Sequence, residues 1–318
     1  LIAAGAHGDR VVVFDFDNTT ICRDIGEATL ARISIDGGVD PKTLGEELSP
    51  PFTLSGARVI PAKERSLAHL YEKVLKMGSH QAGDLASNSI AYAWAVKMMR
   101  GRTPAQIIEW TERAFKNHSA AAERYGSDPP QEILPGFMRP LIHPEIADLM
   151  GLLRKSGYRV LIISASNVWT VRYLVKQYLN PLIAEGHGTG AQLPMSAVTG
   201  VSVLLRDDRD GALYTDHRLV QTNPGYSALD PAELAHFTLT AQIVYPLPAY
   251  NGKVANILRQ AGMERPYLAV GDSTNDHPML RYAQNRLWIA RLEKPAYQEL
   301  TARLANGWRG SWLFQPVL

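Results

Sequence analysis

Three short apolar runs, each followed at once by small or polar residues, dominate the pattern of hydrophobic and polar positions. They read RVVVFDF, YRVLIISAS and RPYLAVGDS, and they begin at residues 10, 158 and 265. Nearly continuous apolar runs of this length are typical of parallel strands that are covered on both faces. The pattern therefore predicts three central strands of a parallel sheet.

Helical patterns precede the second and third of these runs. In residues 143–157 the apolar side chains recur at helical spacing, and Gly157 stands where a C-terminal cap belongs. Residues 252–262 repeat the arrangement, closed by Gly262. Alternation of helix and strand predicts an α/β fold with a doubly wound, Rossmann-like parallel sheet.

The segments between these strands have a different character. Helical patterns begin at residues 64, 84 and 103, in a stretch too long to be a loop. We therefore predict a helical cap domain at residues 31–129, inserted after the first strand into a core made of residues 1–30 and 130–318. A second, β-rich insertion is predicted around residues 184–250, where two β-like runs flank an Asp-Gly turn.

Composition narrows the choice of partners. Of the 318 residues, 46% are hydrophobic and 20% are charged, which is typical of a globular protein. The formal net charge of +2 argues against nucleic acid or an anionic membrane as the binding partner. No apolar run approaches the ~18 residues of a membrane span. The single Cys22 excludes an intramolecular disulfide. The start LIAAGAHGDR lacks Met, so we expect a processed, periplasmic or secreted protein, although removal of a tag from a cytoplasmic protein would look the same.

The candidate chemistry lies where the three predicted strands end. Asp15 and Asp17 close the first run, SAS at 164–166 the second and GDSTND at 271–276 the third. Ligands of open α/β sheets bind beyond the carboxyl ends of the strands, so these groups should converge on one crevice. Carboxylates packed together repel one another unless a cation lies among them. We expect Asp15, Asp17 and Asp272 to hold one Mg²⁺ ion, since oxygen ligands suit it better than zinc.

The same crevice offers donors for a phosphate group. The hydroxyl of Ser164, the ammonium of Lys253 and the backbone N–H groups of residues 17–19, including Thr19, suit phosphate oxygens. Asp276 could orient Lys253 or a bound water. Asn275 could contact phosphate or cap the next turn, and the sequence leaves both interpretations open.

The two neighbouring aspartates can take different chemical roles. A carboxylate can accept a phosphoryl group, which makes Asp15 the candidate nucleophile. Asp17, two residues further along, can protonate the departing oxygen and later deprotonate the hydrolytic water.

These motifs match a known superfamily. DFDNT, Ser164, Lys253 and GDSTND, in that order, resemble the four motifs of the haloacid dehalogenase-like (HAD) phosphatases. The resemblance implies a Rossmann-like core and a Mg²⁺-dependent phosphomonoester hydrolase that works through an aspartyl-phosphate. Dehalogenases of the superfamily lack the second aspartate, so Asp17 favours phosphate transfer.

Substrate choice is expected to depend on the cap and on the segment after the nucleophile. Glu27 lies twelve positions beyond Asp15, where its carboxylate could attract a cationic substrate or simply be solvated on a helix. DFDNTTICRDIGEATL, together with the cap and the region around Lys253, resembles the bacterial phosphorylcholine phosphatases, which are exported and place a glutamate at the position of Glu27 beside the substrate. Tyr92, Trp94 and Trp110 could offer aromatic faces to a quaternary ammonium, or could form the cap core.

We therefore expect a phosphatase with phosphocholine as the leading substrate. One alternative keeps the chemistry but takes phosphoserine or another small phosphate ester, with Glu27 holding an amino group. A second alternative is a non-catalytic binding module with the HAD fold, and a third is a sugar phosphotransferase. The sequence indicates no oligomeric state.

Overall fold

The computed structural model describes residues 10–48, 50–54, 56–64, 67, 69–71, 73–74, 85–116, 140–305, 307–308 and 310–317. The strands of its central sheet are all parallel: β1 (Val11–Phe14), β6 (Arg159–Asn167), β7 (Val198–Val201), β11 (Leu268–Gly271), β12 (Asn285–Arg291) and β13 (Trp312–Val317). Their order across the sheet is β13-β12-β11-β1-β6-β7.

The three apolar runs of the sequence form adjacent strands at the centre of this sheet. β1 pairs with β6 on one side and with β11 on the other. Val12 and Phe14 of β1 are buried in one hydrophobic cluster, and Val11 and Val13 are buried in another. The strand is therefore covered on both faces, and the predicted doubly wound α/β fold is confirmed.

Helices flank the sheet and extend beyond it. In the described part of the chain they are α1 (Ile25–Ile35), α2 (Leu85–Lys97), α3 (Pro104–Lys116), α4 (Pro144–Lys155), α5 (Val168–Leu174), α6 (Asn180–His187), α7 (Asp216–Thr222), α8 (Pro224–Ser227), α9 (Pro231–Leu234), α10 (Asn251–Ala261), α11 (His277–Tyr282) and α12 (Pro295–Ala305). The predicted helices before the second and third strands are α4 and α10. Gly157 and Gly262, with φ of 86° and 73°, follow them in the left-handed region that glycine favours.

Three small antiparallel sheets complete the described strands. β2 (Ile21–Cys22) pairs with β5 (Leu141–Ile142), and β3 (Phe52–Leu54) pairs with β4 (Ala57–Val59). The third sheet has the order β10-β8-β9, with β8 (Val203–Asp207), β9 (Leu213–Tyr214) and β10 (Phe237–Ile243).

The region predicted as a β-rich insertion, residues 184–250, divides between two sheets. β7 lies inside it and is an edge strand of the central sheet, so this part belongs to the core itself. Only β8, β9 and β10 form a separate sheet. The two β-like runs around the Asp-Gly turn include β8 and β9, which pair antiparallel across it. The first run also contains β7, and the pattern did not separate this parallel edge strand from β8 because both are short and apolar.

The predicted cap is described only in part. α2 and α3 lie within it, and α3 packs on α1 through the side chains of Thr29 and Thr111, whose hydroxyl groups are 3.2 Å apart. Much of the helix predicted from residue 64 and the boundary near residue 129 lie outside the described residues, so a separate cap domain stays a prediction. None of the described helices is long and apolar enough to span a membrane.

Candidate active site

Asp15 and Asp17 leave β1 at the carboxyl end of the sheet, between the ends of β6 and β11. The Asp15 backbone N–H donates to Val270 O at 2.9 Å, so the ladder to β11 continues past the end of β1. The Thr20 hydroxyl donates to Asp15 O at 2.7 Å and holds the turn that follows. In this turn Asn18 has a φ of 58°, in the left-handed region that asparagine tolerates better than most residues. The strand end thus presents both carboxyl groups to one crevice.

Lys253, in the first turn of α10, joins two of the predicted carboxylates. Its Nζ lies 2.5 Å from Asp15 Oδ1 and 2.6 Å from Asp276 Oδ1. All three side chains are buried. The other oxygen of Asp15, Oδ2, accepts no hydrogen bond from the described part of the chain. Asp276 therefore orients Lys253, as the sequence analysis suggested, and one oxygen of Asp15 is left for chemistry.

Asp15, Asp272 and Asp276 form a compact acidic cluster, whose ligand atoms all lie within 4.8 Å of one another. Burial, together with the negative charge of Asp276, raises the pKa of Asp15 to about 8. Burial and the charges of Asp276 and Asp15 raise the pKa of Asp272 well above its usual value. A divalent cation would relieve this repulsion, and three carboxylates are ligands that suit Mg²⁺. The donor set therefore fits the predicted metal. Asp17, which was predicted as a third ligand, lies outside this group of three, and its part in metal binding stays a prediction.

Asp17 has a separate environment. Its Oδ1 accepts from the Ile25 backbone N–H at 2.8 Å, and its Oδ2 accepts from the hydroxyl groups of Ser164 at 3.0 Å and Ser166 at 2.8 Å. Burial, and after it the charge of Asp24, raises the pKa of Asp17 to about 7. A carboxyl group that titrates near neutrality can both donate and accept a proton, which is what a general acid and base requires.

The remaining core motif residues have structural contacts that explain their positions. The Thr19 hydroxyl donates to Asp272 Oδ1 at 2.9 Å. Asn275 Oδ1 accepts from the backbone N–H of Tyr250 at 2.6 Å, just before α10 begins. Ser164 is fully buried and donates to Asp17, so in this structure its hydroxyl is committed to a carboxylate.

Several residues at the site were not singled out from the sequence, among them Arg291 and Ser166, and also Asp24 and Tyr71, which are described below. Arg291 at the end of β12 donates to Asp272 Oδ2 at 3.1 Å, and Ser166 donates to Asp17. Ser166 stands in the SAS segment that follows the second apolar run, but nothing in that pattern distinguishes it from other loop serines. Arg291 could have been found only if β12 had first been recognised as a strand of the central sheet.

Glu27 lies in the first turn of α1, close to Asp24. Asp24 is the N-cap residue of this helix, and its Oδ1 accepts from the Glu27 backbone N–H at 2.8 Å. Burial and then the charge of Glu27 raise the pKa of Asp24 to about 7. Two carboxyl groups therefore share this end of the helix, next to Asp17.

Tyrosine side chains surround the Glu27 end of α1. The pKa values of Tyr71 and Tyr92 are well above the usual value because the phenols are buried and because Glu27 and Asp24 lie nearby. Trp94 is buried and stacks on Tyr71 with ring centroids 6.4 Å apart. Of the three aromatic residues predicted for a cation site, Tyr92 therefore lies near Glu27, and Trp94 packs on Tyr71.

Trp110 occupies a different place. Its ring rests on Gly38, just beyond the C-terminal end of α1, and the Arg102 guanidinium lies 6.0 Å from its centroid. From Glu27 to the last residue of α1 is about 12 Å along the helix axis at 1.5 Å per residue. Trp110 therefore packs at the opposite end of the helix from Glu27, and a cation already faces its ring.

Comparison with known proteins gives one curated relative of interest. No family model matches the chain. The chain is similar to the phosphorylcholine phosphatase of Pseudomonas aeruginosa, with 23% identity in an alignment 307 positions long that covers 92% of this chain and 78% of that protein. At this identity the name of the relative does not establish a substrate for this chain.

Solved structures share the fold at low identity. A conserved, functionally unknown protein from Anaerococcus prevotii DSM 20548 aligns with a TM-score of 0.55 and 16% identity, covering 96% of this chain and 86% of that one. A HAD family hydrolase from Salmonella enterica serovar Typhi aligns with a TM-score of 0.46 and 15% identity, covering 92% and 65%. The first alignment shows a shared fold and no more. The TM-score of the second alignment is too low to show even that.

Proposed function

We propose that this chain, a haloacid dehalogenase-like phosphatase by its core fold and its four motifs, hydrolyses phosphate monoesters through an aspartyl-phosphate on Asp15. The observation that carries the proposal is the different surroundings of the two aspartates. Asp15 is paired with Lys253 at 2.5 Å and keeps one oxygen for attack. Asp17, held by three donors, has a pKa of about 7 and can exchange a proton.

In the first step Asp15 Oδ2 attacks the phosphorus atom, and the bond from phosphorus to the ester oxygen breaks. The leaving alkoxide takes a proton from the carboxylic acid of Asp17. Lys253 stays between Asp15 and Asp276 and provides positive charge beside the phosphoryl group as it transfers.

In the second step a water molecule attacks the phosphorus of the aspartyl-phosphate. Asp17, now a carboxylate, accepts a proton from this water, and the bond between phosphorus and Asp15 breaks to release inorganic phosphate. One residue therefore serves as the acid in one step and as the base in the next.

The acidic cluster would hold Mg²⁺, with Asp15 and Asp272 as carboxylate ligands and Asp276 close to them. When bound, the ion would offset the charge of the carboxylates and of the phosphate group.

For the substrate we propose a small phosphate ester with a cationic group, of which phosphocholine is the leading candidate. Three features support this choice: the paired carboxyl groups of Asp24 and Glu27, the buried Tyr71 and the partly buried Tyr92 near them, and the similarity to a protein named phosphorylcholine phosphatase. Negative charge with aromatic faces is the combination that binds quaternary ammonium groups. The alternative is phosphoserine or another ester with a primary amine, which the same carboxylates would also attract.

The experiment is phosphate release in Mg²⁺ from phosphocholine, phosphoethanolamine, phosphoserine and p-nitrophenyl phosphate, for wild type, Asp15→Asn and Glu27→Gln. We expect Asp15→Asn to be inactive on all four esters. Glu27→Gln should lose the preference for phosphocholine and keep its activity on the aryl ester, which has no cationic group. An active Asp15→Asn enzyme would contradict the nucleophile, and an unchanged preference in Glu27→Gln would contradict the cation site.

A further inference from the structure

The hydrogen bonds to the Asp17 carboxyl group come from the end of β6 and from the start of α1. On the strand side, Ser166 donates its hydroxyl to Asp17 Oδ2 at 2.8 Å. On the helix side, the backbone N–H of Ile25, the first residue of α1, donates to Asp17 Oδ1 at 2.8 Å. The two oxygens of one carboxyl group are therefore fixed from opposite sides by separate parts of the chain.

Gly26 brings these two sides into contact. A Cβ atom built on Gly26 would lie 2.3 Å from Ser166 Oγ and 2.9 Å from Ser166 Cβ. Any other residue here would have to push Ser166 away. The absence of a side chain at position 26 therefore allows the first turn of α1 to pack directly on Ser166.

The same turn carries the carboxyl groups assigned to the substrate cation. Asp24 caps the helix and Glu27 is the third helical residue, so both lie within one turn of Ile25 and Gly26. A group that binds Glu27 therefore acts on a turn whose first N–H is bonded to Asp17.

We propose that Ser166 is a positioning residue for the general acid Asp17. The turn of residues 24–27 packs on Ser166, so that the cation site and the carboxyl group of Asp17 keep a fixed position relative to each other. This inference rests on the proposed function. Ser166 acts through Asp17 and does not touch the reacting atoms. Its contribution should therefore appear only where the reaction needs a proton from Asp17.

Leaving groups separate that contribution from a general loss of structure. An alkoxide such as that of choline needs a proton as it leaves, whereas p-nitrophenolate leaves readily without one. The ratio kcat/KM reports on the steps up to formation of the aspartyl-phosphate, in which Asp17 is the acid. Loss of the Ser166 hydroxyl should therefore lower kcat/KM for phosphocholine more than for p-nitrophenyl phosphate.

The test compares Ser166→Ala with Ser311→Ala, an exposed serine far along the chain from the site. We expect Ser166→Ala to lower kcat/KM about tenfold or more for phosphocholine and by no more than about threefold for the aryl ester. Ser311→Ala should match wild type on both. Equal losses on the two esters, or no loss on either, would overturn the proposal.

A cycle of variants tests the packing of the turn on Ser166. Gly26→Ala should reproduce the leaving-group pattern of Ser166→Ala, because its Cβ would displace the Ser166 side chain. In the Ser166→Gly variant there is no side chain at position 166 to displace. Gly26→Ala should therefore lower kcat/KM little further in that variant, so the effects of the two substitutions should not add. Additive losses would show that Gly26 acts independently and would overturn this part. Wild type that releases no phosphate from any ester would instead contradict the proposed function itself.

Discussion

Lys253 and Asp15 are 238 residues apart in the chain, yet Lys253 Nζ lies 2.5 Å from Asp15 Oδ1, and both side chains are buried. The same ammonium group lies 2.6 Å from Asp276. One cation therefore compensates two buried carboxyl groups, and removal of its charge would leave both without this compensation.

Lys253→Met should abolish phosphate release and also destabilise the fold. Breaking a buried ion pair by removing one partner costs about 3–5 kcal/mol, because the remaining charge stays buried. We expect a clear drop in the urea midpoint of unfolding, partly relieved at low pH, where the carboxyl groups are protonated. Lys155→Met, at an exposed helix end, is the control. A Lys253→Met enzyme that kept its activity would argue against the charge beside the transferring phosphate.

Mg²⁺ should raise the midpoint of thermal unfolding, and Asp272→Asn should remove most of this effect. An ion that binds only the folded state stabilises it by about 2.7 kcal/mol at a hundredfold excess over its Kd. Asp272 belongs to the cluster of three carboxyl groups, whereas Glu264 is exposed and distant from it. Scanning fluorimetry with and without Mg²⁺ would compare the two, with Glu264→Gln expected to respond like wild type. An Asp272→Asn protein with the full shift would place the ion elsewhere.

The central strands and the core motifs could be predicted because both leave a local signal. β1, β6 and β11 are buried on both faces and therefore read as unbroken apolar runs. β12 was not predicted as a central strand because Arg286 interrupts its apolar run. Arg286 is 1% exposed, and its guanidinium lies 5.5 Å from the centroid of the Trp312 ring. A buried arginine beneath aromatic rings breaks the apolar pattern without breaking the strand.

The partners within the site could not be predicted, because they depend on packing between distant segments. The sequence indicated that Asp15, Asp17, Asp272 and Asp276 converge. It led us to expect Asp15, Asp17 and Asp272 around one ion, whereas the close cluster in the structure consists of Asp15, Asp272 and Asp276. That outcome depends on Ser164 and Ser166, whose bonds to Asp17 are made at the end of a different strand. The position of Trp110 at the far end of α1 likewise depends on how α3 packs on that helix.

The stability of the folded protein should fall as pH rises from about 4 to about 7, in part because of Asp24. Its pKa rises from 3.8 to about 7 on folding, so in this window the folded state holds a proton that the unfolded state has lost. Each such proton changes the free energy of unfolding by about 1.4 kcal/mol per pH unit. Asp24→Asn, which can still cap α1, should have a flatter profile. Urea unfolding at several pH values would compare the two proteins, and parallel profiles would contradict the raised pKa of Asp24.

Asn275→Ala should separate the two roles that the sequence left open for this side chain. In the structure Asn275 Oδ1 accepts the Tyr250 N–H at 2.6 Å, and Tyr250 has a φ of 51° immediately before the helix that carries Lys253. Loss of the acceptor should let this strained turn relax and move Lys253 away from Asp15. A displacement of about 1 Å can cost about a hundredfold in rate, so we expect kcat to fall by tenfold to a hundredfold with a lower thermal midpoint. If Asn275 instead bound the phosphate group directly, KM would rise for every ester while the thermal midpoint stayed that of wild type.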